Sequence, residues 1–374
     1  MNIVFLARYL PQEGSTTHMY TLSEEMVRRG HSVSIISAGP KSDVSAITIY
    51  EQNRHIGVDH IKIGFPLNPS FTLIGKVVQL FKYILVIPRF NSLIRKIKPD
   101  VIHVHYPVTS YLPYMYNKFH RKKIKFVSTY HIIGIPKHLL HKKADYAIAI
   151  SSELKNDLIK RLHYDSMHVV TIFNGVSANR FGKPIEERNQ LIQKFALPSD
   201  KILIGFVGSL VFRKGIDVLL KSVADLDKEV YHVILLGDGD NDWVNQLIND
   251  NQIKNNVSVF PFQDPITFYS IFDIFVLPSR KEGFGLVSIE AMMMGVATIR
   301  SDVEGAKDQI SHGKDGLLFK NEDVLELRSC LSRLINDERG REEIAKNGKE
   351  KALRNFTEEI MVDKTLSLYQ RILD

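Results

Sequence analysis

The sequence predicts an α/β protein made of two doubly wound, Rossmann-like domains in tandem. Short β-rich runs alternate with longer amphipathic stretches along the whole chain, as repeated βαβ units do. Most of these runs are continuously apolar rather than alternating, the pattern of parallel strands covered on both faces. The chain has 374 residues, and at roughly 100–200 residues per domain that length suits two domains or three.

In the first half NIVFLA, HSVSIIS, DVIHVH, KIKFVST, DYAIAIS and HVVTIF read as strands. The helical stretch TLSEEMVRRG lies between the first two and closes on Gly30, a residue suited to a C-cap. A polar segment, SANRFGKPIEERNQ (177–190), divides the two series and reads as the linker. The second half repeats the architecture with KILIGFVG, YHVILLGDG, NVSVFPF, DIFVLPS, VATIRS and GLLF, without a sequence-level repeat. The expected boundaries are residues 1–176 for the first domain, 177–200 for the linker region and 201–355 for the second domain. A C-terminal helix over 356–374 is expected to pack back on the first domain. In such sheets ligands bind beyond the carboxyl ends of strands, so the expected active site is the cleft between two such domains.

Composition narrows the function. Hydrophobic residues make up 44% and charged residues 24%, the proportions of an ordinary globular protein, which excludes disordered and collagen-like chains. A single cysteine excludes a disulfide framework and multi-cysteine metal sites. Cys330, within VLELRSCLSRLI, reads as a buried structural thiol, and the protein as one of a reducing cytoplasm. The opening MNIVFLARYL lacks a basic leader and a cleavage site. The apolar run near Tyr83–Pro88 is far below the roughly 18–20 residues that span a bilayer. Charge is uneven: residues 1–175 hold 23 Lys and Arg against 11 Asp and Glu, and residues 176–374 hold 26 against 31. A basic front half suggests an anionic partner.

The chemistry-bearing residues fall in loops after strands. RYLPQEGSTTH offers Gly14 for close backbone approach, with Ser15, Thr16 or Thr17 as a helix cap or anion contact; an ordinary βα turn is the alternative. GFVGSLVFRKG is more informative. Gly208 ends a strand, Gly215 opens a helix, and Arg213 and Lys214 between them suit a pyrophosphate. It is not a Walker loop, and GDGD (237–240) reads as a plain turn rather than a dinucleotide fingerprint. In KEGFGLVSIEAMMMG, Glu282 lies in a glycine-rich turn and Glu290 eight positions later, in a helix running from about Phe284 to Met294. Eight helical residues rise about 12 Å, beyond the roughly 5–9.5 Å of a glycosidase pair. The two carboxylates therefore suit different parts of one extended ligand. Amides at the helix start near Gly285 and Leu286 could receive phosphate. As an alternative, Glu290 is a solvated helix residue.

EGFGLVSIE matches the E-x7-E motif of the retaining glycosyltransferases of family 4, or group 1. LPSRKEGFG, EAMMMG and SDVEGAKDQI…GKDGLLF resemble that family's donor-binding domain, GSLVFRKG its phosphate loop and FNGV (173–176) its interdomain motif. LSEEMVRRGHSV, DVIHVH and VSTYH extend the likeness more loosely over the first half. The resemblance implies a GT-B fold, with the donor bound mainly by the second domain and the acceptor by the first. It implies that Glu290 holds the ribose hydroxyls and Glu282 a hydroxyl of the donor sugar. Arg213 and Lys214 would neutralise the departing diphosphate without metal. His131 matches the histidine near the reacting sugar. Gly14 and Ser15 match the loop that closes over the donor phosphates, and Gly208, Ser209, Gly283, Phe284, Gly285 and Leu286 complete the implied donor-binding set. Three departures stand out: Ser15 replaces the second of paired glycines, Ser209 a frequent arginine, and Glu304 in SDVEG a glycine.

His103 and His105 are two apart on one strand and face one side. Metal binding needs three or four ligands, and no matching third is visible, so these read as structural histidines or, for His105, an acceptor contact. Residues 71–98 carry six Lys and Arg, no acid and dense apolar content. They suit either an amphipathic segment on an anionic bilayer or a helix packed on the sheet. RKKIK (121–125) and KHLLHKK (137–143) add basic character, but no interleaved aromatic platform points to nucleic acid. The expected function is a metal-independent transferase moving a hexose-type sugar from a nucleotide sugar to a glycan or lipid-linked acceptor, with no other cofactor, in the cytoplasm or on the inner membrane face. Retention is implied by the resemblance alone. A nucleotide-sugar epimerase on a related fold and a non-catalytic nucleotide-sugar or membrane-binding protein are the alternatives.

Overall fold

A computed structural model describes residues 1–10, 14–40, 44–65, 73–135, 140–184 and 186–374. The chain divides into two units: Met1–Gly175 with Glu358–Asp374, and Val176–Thr357.

The first unit holds a seven-stranded parallel sheet of β1 (Asn2–Leu6), β2 (Ser32–Ser37), β3 (Asp59–Lys62), β4 (Val101–Val104), β5 (Lys125–Tyr130), β6 (Tyr146–Ala149) and β7 (Val169–Thr171). Their order is β3-β2-β1-β4-β5-β6-β7, with the direction of travel reversing between β1 and β4. Ile3, Phe5, Val33, Ile35, Val101, Val127 and Ile148 fill one face, and Val4, Leu6, Ile36, Ile102, Val104 and Phe126 fill the other. Six of these strands are the continuous apolar runs of the sequence. The seventh, β3, is a half-exposed edge strand with Asp59 and Lys62 at its ends, the kind of charged edge that discourages further pairing and hides a strand from a hydrophobicity reading.

The helix Gly14–Arg28 follows β1. Gly30, at φ 81°, donates to Val27 O (2.9 Å), and His31 donates to Met26 O (3.0 Å), a Schellman closure. The helix Glu358–Leu373 belongs to this same unit; Met361, Val362, Leu368, Tyr369 and Ile372 join the core beside Met19, Leu22 and Met26. The helix Leu73–Ile97 sinks Tyr83, Val86, Phe90 and Ile94 into the sheet-packing core. Phe81, Ile84 and Leu85, spaced as one helical face, stay at least half exposed. The buried face answers to the alternative of a helix packed on the sheet, while residues 71–72 lie outside the described residues. RKKIK exposes its four cations; of KHLLHKK, residues 137–139 lie outside the described residues. Among the described residues no helix is long and apolar enough to cross a membrane.

The second unit is built on a six-stranded parallel sheet of β8 (Ile202–Val207), β9 (Tyr231–Leu236), β10 (Val257–Phe260), β11 (Ile274–Leu277), β12 (Ala297–Ser301) and β13 (Leu317–Phe319). The order is β10-β9-β8-β11-β12-β13, with the switch between β8 and β11. Residues 177–200, read from the sequence as a linker, are part of this unit. The helices Ala178–Phe181 and Arg188–Lys194 bury Phe181, Leu191 and Ile192, and Arg188 donates to Asp273 at the foot of β11 (2.9 Å). Polar composition marked the solvent face of these short helices and hid their few anchors. Cys330 is buried in the core, where desolvation pushes its thiol up to about 11 and leaves it unreactive at neutral pH.

Candidate active site

The switch between β8 and β11 puts two loops side by side at the carboxyl edge of the second sheet. The first runs from Gly208 through a 3-10 turn, Phe212–Lys214, to Gly215. Gly215 has φ 70°, and a Cβ there would sit 1.9 Å from Pro278 O, so only glycine lets this loop lie against the end of β11. Gly208 stands half-buried at φ 147°, and Ser209 beside it is exposed.

The second loop is the turn after β11. Ser279 is fully buried and donates to Glu282 Oε1 (2.7 Å); Lys214 Nζ donates to the same oxygen (2.5 Å). Burial alone would push the Glu282 carboxyl up, but Lys214, Ser279 and Arg300 outweigh it and hold the group below the usual carboxylate range. Glu282 is therefore a fixed anion with acceptor capacity left on Oε2. Arg213 is placed differently from its neighbour. Its guanidinium is exposed and donates to Lys281 O (3.1 Å), so it flanks the pair without entering it.

Glu290 lies on the helix Leu286–Met293, which starts later than the Phe284–Met294 span expected. Gly285, at φ 73°, breaks the path between the two carboxylates. Only the four steps from Leu286 to Glu290 are helical, a rise of about 6 Å rather than 12 Å. Glu290 is half-buried rather than solvated. Desolvation pushes its carboxyl up to about 7, even though Tyr269 donates to Oε2 (2.9 Å). Burial keeps the Tyr269 hydroxyl protonated and a donor. One carboxylate is thus locked as an anion, and the other titrates near neutrality.

The glycine-rich turn between them is braced from below. Arg300, fully buried at the end of β12, donates to Phe284 O (3.1 Å) and Glu304 O (3.2 Å) and bonds Gln309. Gln309 in turn bonds Phe284 O and accepts from Ser288 (2.8 Å). The phenyl ring of Phe284 packs edge-on to Phe356, whereas Gly283, Gly285 and Leu286 stay half-buried at the surface of the turn. Gly305 comes close enough for a Cβ to meet the Phe284 ring at 3.0 Å, so the glycine retained in SDVEG is the one that packing needs, and Glu304 contributes its carbonyl. Arg280 clamps the loop from Gly208 to Gly215: it pairs with Asp217 (2.8 and 2.9 Å), donates to Phe212 O (2.7 Å) and stacks on the Phe212 ring (3.8 Å). Sequence reasoning singled out neither Arg280 nor Arg300. A lone arginine inside the apolar strand VATIRS was the available signal, since a buried guanidinium needs acceptors.

In the first unit the expected residues sit at the carboxyl ends of β1, β4 and β5. Gly14 and Ser15 open the helix after β1, so Ser15, Thr16 and Thr17 lie within the helix; residues 11–13 are outside the described residues. A Cβ on Gly14 would meet nothing within 4 Å among the described residues. His103 is structural: it bridges Tyr369 OH and Thr129 Oγ1 (2.6 Å). His105 and His131 follow β4 and β5, and the absence of a third partner expected from the sequence is corrected by the fold. His18, on the helix after β1, brings one ring nitrogen within 4.8 Å of one from each of the other two.

Two parallel-sheet α/β units, the second with a lysine–carboxylate pair and a second carboxylate at its switch point, define a glycosyltransferase of the GT-B class. Solved structures carry the same fold. A glycosyltransferase from Rickettsia africae matches with a TM-score of 0.85 at 20% identity, covering 100% of this chain and 98% of that one. Anabaena Alr3699/HepE in complex with UDP matches at 0.82 and 20%, covering 99% and 100%. The model of the glycosyl transferases group 1 matches residues 187–351, and that of Glycosyltransferase Family 4 matches residues 13–180. The chain belongs to the group 1, family 4 glycosyltransferases. A relative, the capsular polysaccharide biosynthesis glycosyltransferase CapM of Staphylococcus aureus, is 33% identical over 233 residues; the match spans 60% of this chain and 61% of CapM.

Proposed function

We propose that this protein transfers a hexose-type sugar from a nucleoside-diphosphate sugar to a hydroxyl of a glycan or lipid-linked acceptor, with retention at the anomeric carbon. The bond from that carbon to the diphosphate breaks, a bond to the acceptor oxygen forms, and the acceptor proton passes to the departing diphosphate. The observation that carries this reading is the Lys214–Glu282 pair at the β8/β11 switch point. One side chain there offers remaining ammonium donors to a diphosphate, and the other a fixed anion to sugar hydroxyls. Arg213 adds a second cation at the rim, so the chemistry needs no metal. Glu290, four helical residues beyond the turn, is assigned the ribose hydroxyls; near neutrality it can accept a hydroxyl proton or share its own. His131 is assigned to the acceptor side, in the first unit. The UDP in the HepE complex and the capsular polysaccharide role of CapM support a nucleotide-sugar donor and an envelope-glycan acceptor. The exposed Phe81, Ile84 and Leu85 among the cations of the helix Leu73–Ile97 are assigned to the anionic inner face of the membrane, where a lipid-linked acceptor would lie.

The test is a donor screen followed by Glu282→Ala. Thermal shifts with UDP, GDP, ADP and CMP sugars, with and without divalent metal, identify the donor. A ligand at about 100 times its dissociation constant stabilises by roughly 2.7 kcal/mol. Glu282→Ala should then abolish transfer while nucleotide affinity holds; unchanged turnover sinks the assignment. Release of an altered nucleotide sugar without acceptor would favour an epimerase instead.

A further inference from the structure

Three histidines converge in the first unit at the carboxyl edge of its sheet. His18 comes from the helix after β1, His105 from the residue after β4 and His131 from the residue after β5. Their ring centroids are 5.1 to 5.8 Å apart, and their ligating nitrogens all lie within 4.8 Å of one another. His18 and His105 are each 3% exposed, and His131 is half-buried as a residue with both ring nitrogens shielded.

None of the six ring nitrogens makes a hydrogen bond among the described residues. Buried polar groups are ordinarily satisfied, and the fold does satisfy the adjacent histidine: His103, whose ring lies 4.2 Å from that of His105, uses both nitrogens. Asn174, buried beside His18, favours the charged imidazole there, yet its Oδ1 makes no hydrogen bond. Desolvation prevails at all three rings, lowering His18 to about 4 and His105 and His131 well below their ordinary value. The cluster is uncharged at neutral pH, and no carboxylate of the described residues joins it. Three neutral imidazoles with unpartnered nitrogens, one from each ring within 4.8 Å of the others, are a donor set for a borderline-soft divalent cation rather than for an anion or a hard cation.

We propose that His18, His105 and His131 form a binding site for a zinc-class divalent cation, held by one nitrogen from each ring, with the fourth position left to a water molecule or to Asn174 Oδ1. Tetrahedral ligation at 2.0–2.1 Å places nitrogens roughly 3.4 Å apart, so binding draws the three rings closer together. The rings are already deprotonated, so binding displaces few protons at neutral pH. A cation there occupies the lone pair of His131, so metal binding and turnover compete and the site is inhibitory. That consequence rests on the transferase reading; the binding itself does not.

The experiment uses the full chain, stripped with EDTA and desalted. Zinc chloride is titrated calorimetrically and cobalt chloride by visible absorption, in the wild type, His18→Ala, His131→Ala and the exposed control His168→Ala. One zinc per chain, tetrahedral cobalt bands, no response to magnesium chloride, and a loss of affinity of about 10-fold or more in His18→Ala and His131→Ala but not in His168→Ala are expected. Circular dichroism confirms folding; half-buried His131 keeps the test available should His18→Ala fail to fold. A dissociation constant for folded wild type weaker than about 0.1 mM, or binding unaffected in His131→Ala, overturns the site. Binding lost as expected in an enzyme that transfers no sugar would leave the site standing and the transferase reading overturned.

Discussion

Replacing Lys214 by Met removes the ammonium but keeps most of the aliphatic stem, so it isolates the charge. The pair is separated by 2.5 Å, with side chains only 14% and 9% exposed. At an effective dielectric of 20 the gross attraction is about 6–7 kcal/mol, much of it offset by the cost of desolvating both ions. Truncating one partner of such a pair costs about 3–5 kcal/mol because the other charge is left buried. The dependence on pH is the sharper readout. In the wild type the Glu282 carboxyl is depressed, so the pair's contribution is present above the ordinary carboxylate range and is lost as pH falls through the depressed value. In Lys214→Met the opposing influences recede and burial raises that carboxyl, so the penalty is present above the raised value and relieved as pH falls. The gap between the two proteins should therefore be widest near pH 7 and shrink toward pH 4. The sole tryptophan, Trp243, lies in the second unit, so its fluorescence follows that unit's unfolding. Across about 180 residues the expected drop in Tm at pH 7 is roughly 6–20 °C, and Glu282→Gln added to Lys214→Met should restore much of it. A loss below about 1 kcal/mol, or a gap independent of pH, would refute the buried pair.

Gly215→Ala should destabilise the second unit by more than about 2 kcal/mol and weaken nucleotide binding, since the left-handed backbone and the contact with Pro278 O act together; a Trp243 melt matching wild type would contradict the close approach. For Glu290 the raised folded value means that stability is lost as pH climbs from about 4.5 through about 7, by about 3 kcal/mol. Glu290→Gln should match wild type near pH 5 and be the more stable protein at pH 8, and parallel melts across that range would show the carboxyl to be ordinary. The triple substitution Phe81→Ser, Ile84→Ser and Leu85→Ser should abolish sedimentation with anionic vesicles, and wild-type binding should weaken with salt; wild-type binding that ignores salt or survives the substitutions argues against the membrane face.

The strands were legible because parallel strands buried on both faces must be apolar throughout, and twelve of the runs read from the sequence correspond to observed strands. β3 escaped because an edge strand needs only half that burial. Glu282, Lys214 and Glu290 were legible because close spacing within two short segments, together with a family motif, marked them. The histidine cluster was not. His18, His105 and His131 are scattered over more than a hundred positions, and only strand order brings them together; spacing rules see His103 with His105 and choose the structural partner. Arg280 was invisible for a related reason: its partners are carboxylates and a carbonyl supplied by other loops, and only Arg300, alone in an apolar strand, carried a local signal, which named no partner.

The division of the chain has a consequence for how the protein is made. Val176 and Thr357 pair where the chain passes into and out of the second unit, and Val176 donates to Phe356 O (2.9 Å). The first unit therefore stays incomplete until residues 358–374 emerge. Until then the first sheet lacks Met361, Val362 and Tyr369 from its core, and His103 lacks the Tyr369 hydroxyl. At translation rates of about 5–20 residues per second, the intervening unit occupies the ribosome for roughly 10–40 s. Folding order on the ribosome is thus inverted: the unit that begins first is finished last, its core still lacking these side chains when the chain has been made as far as residue 357.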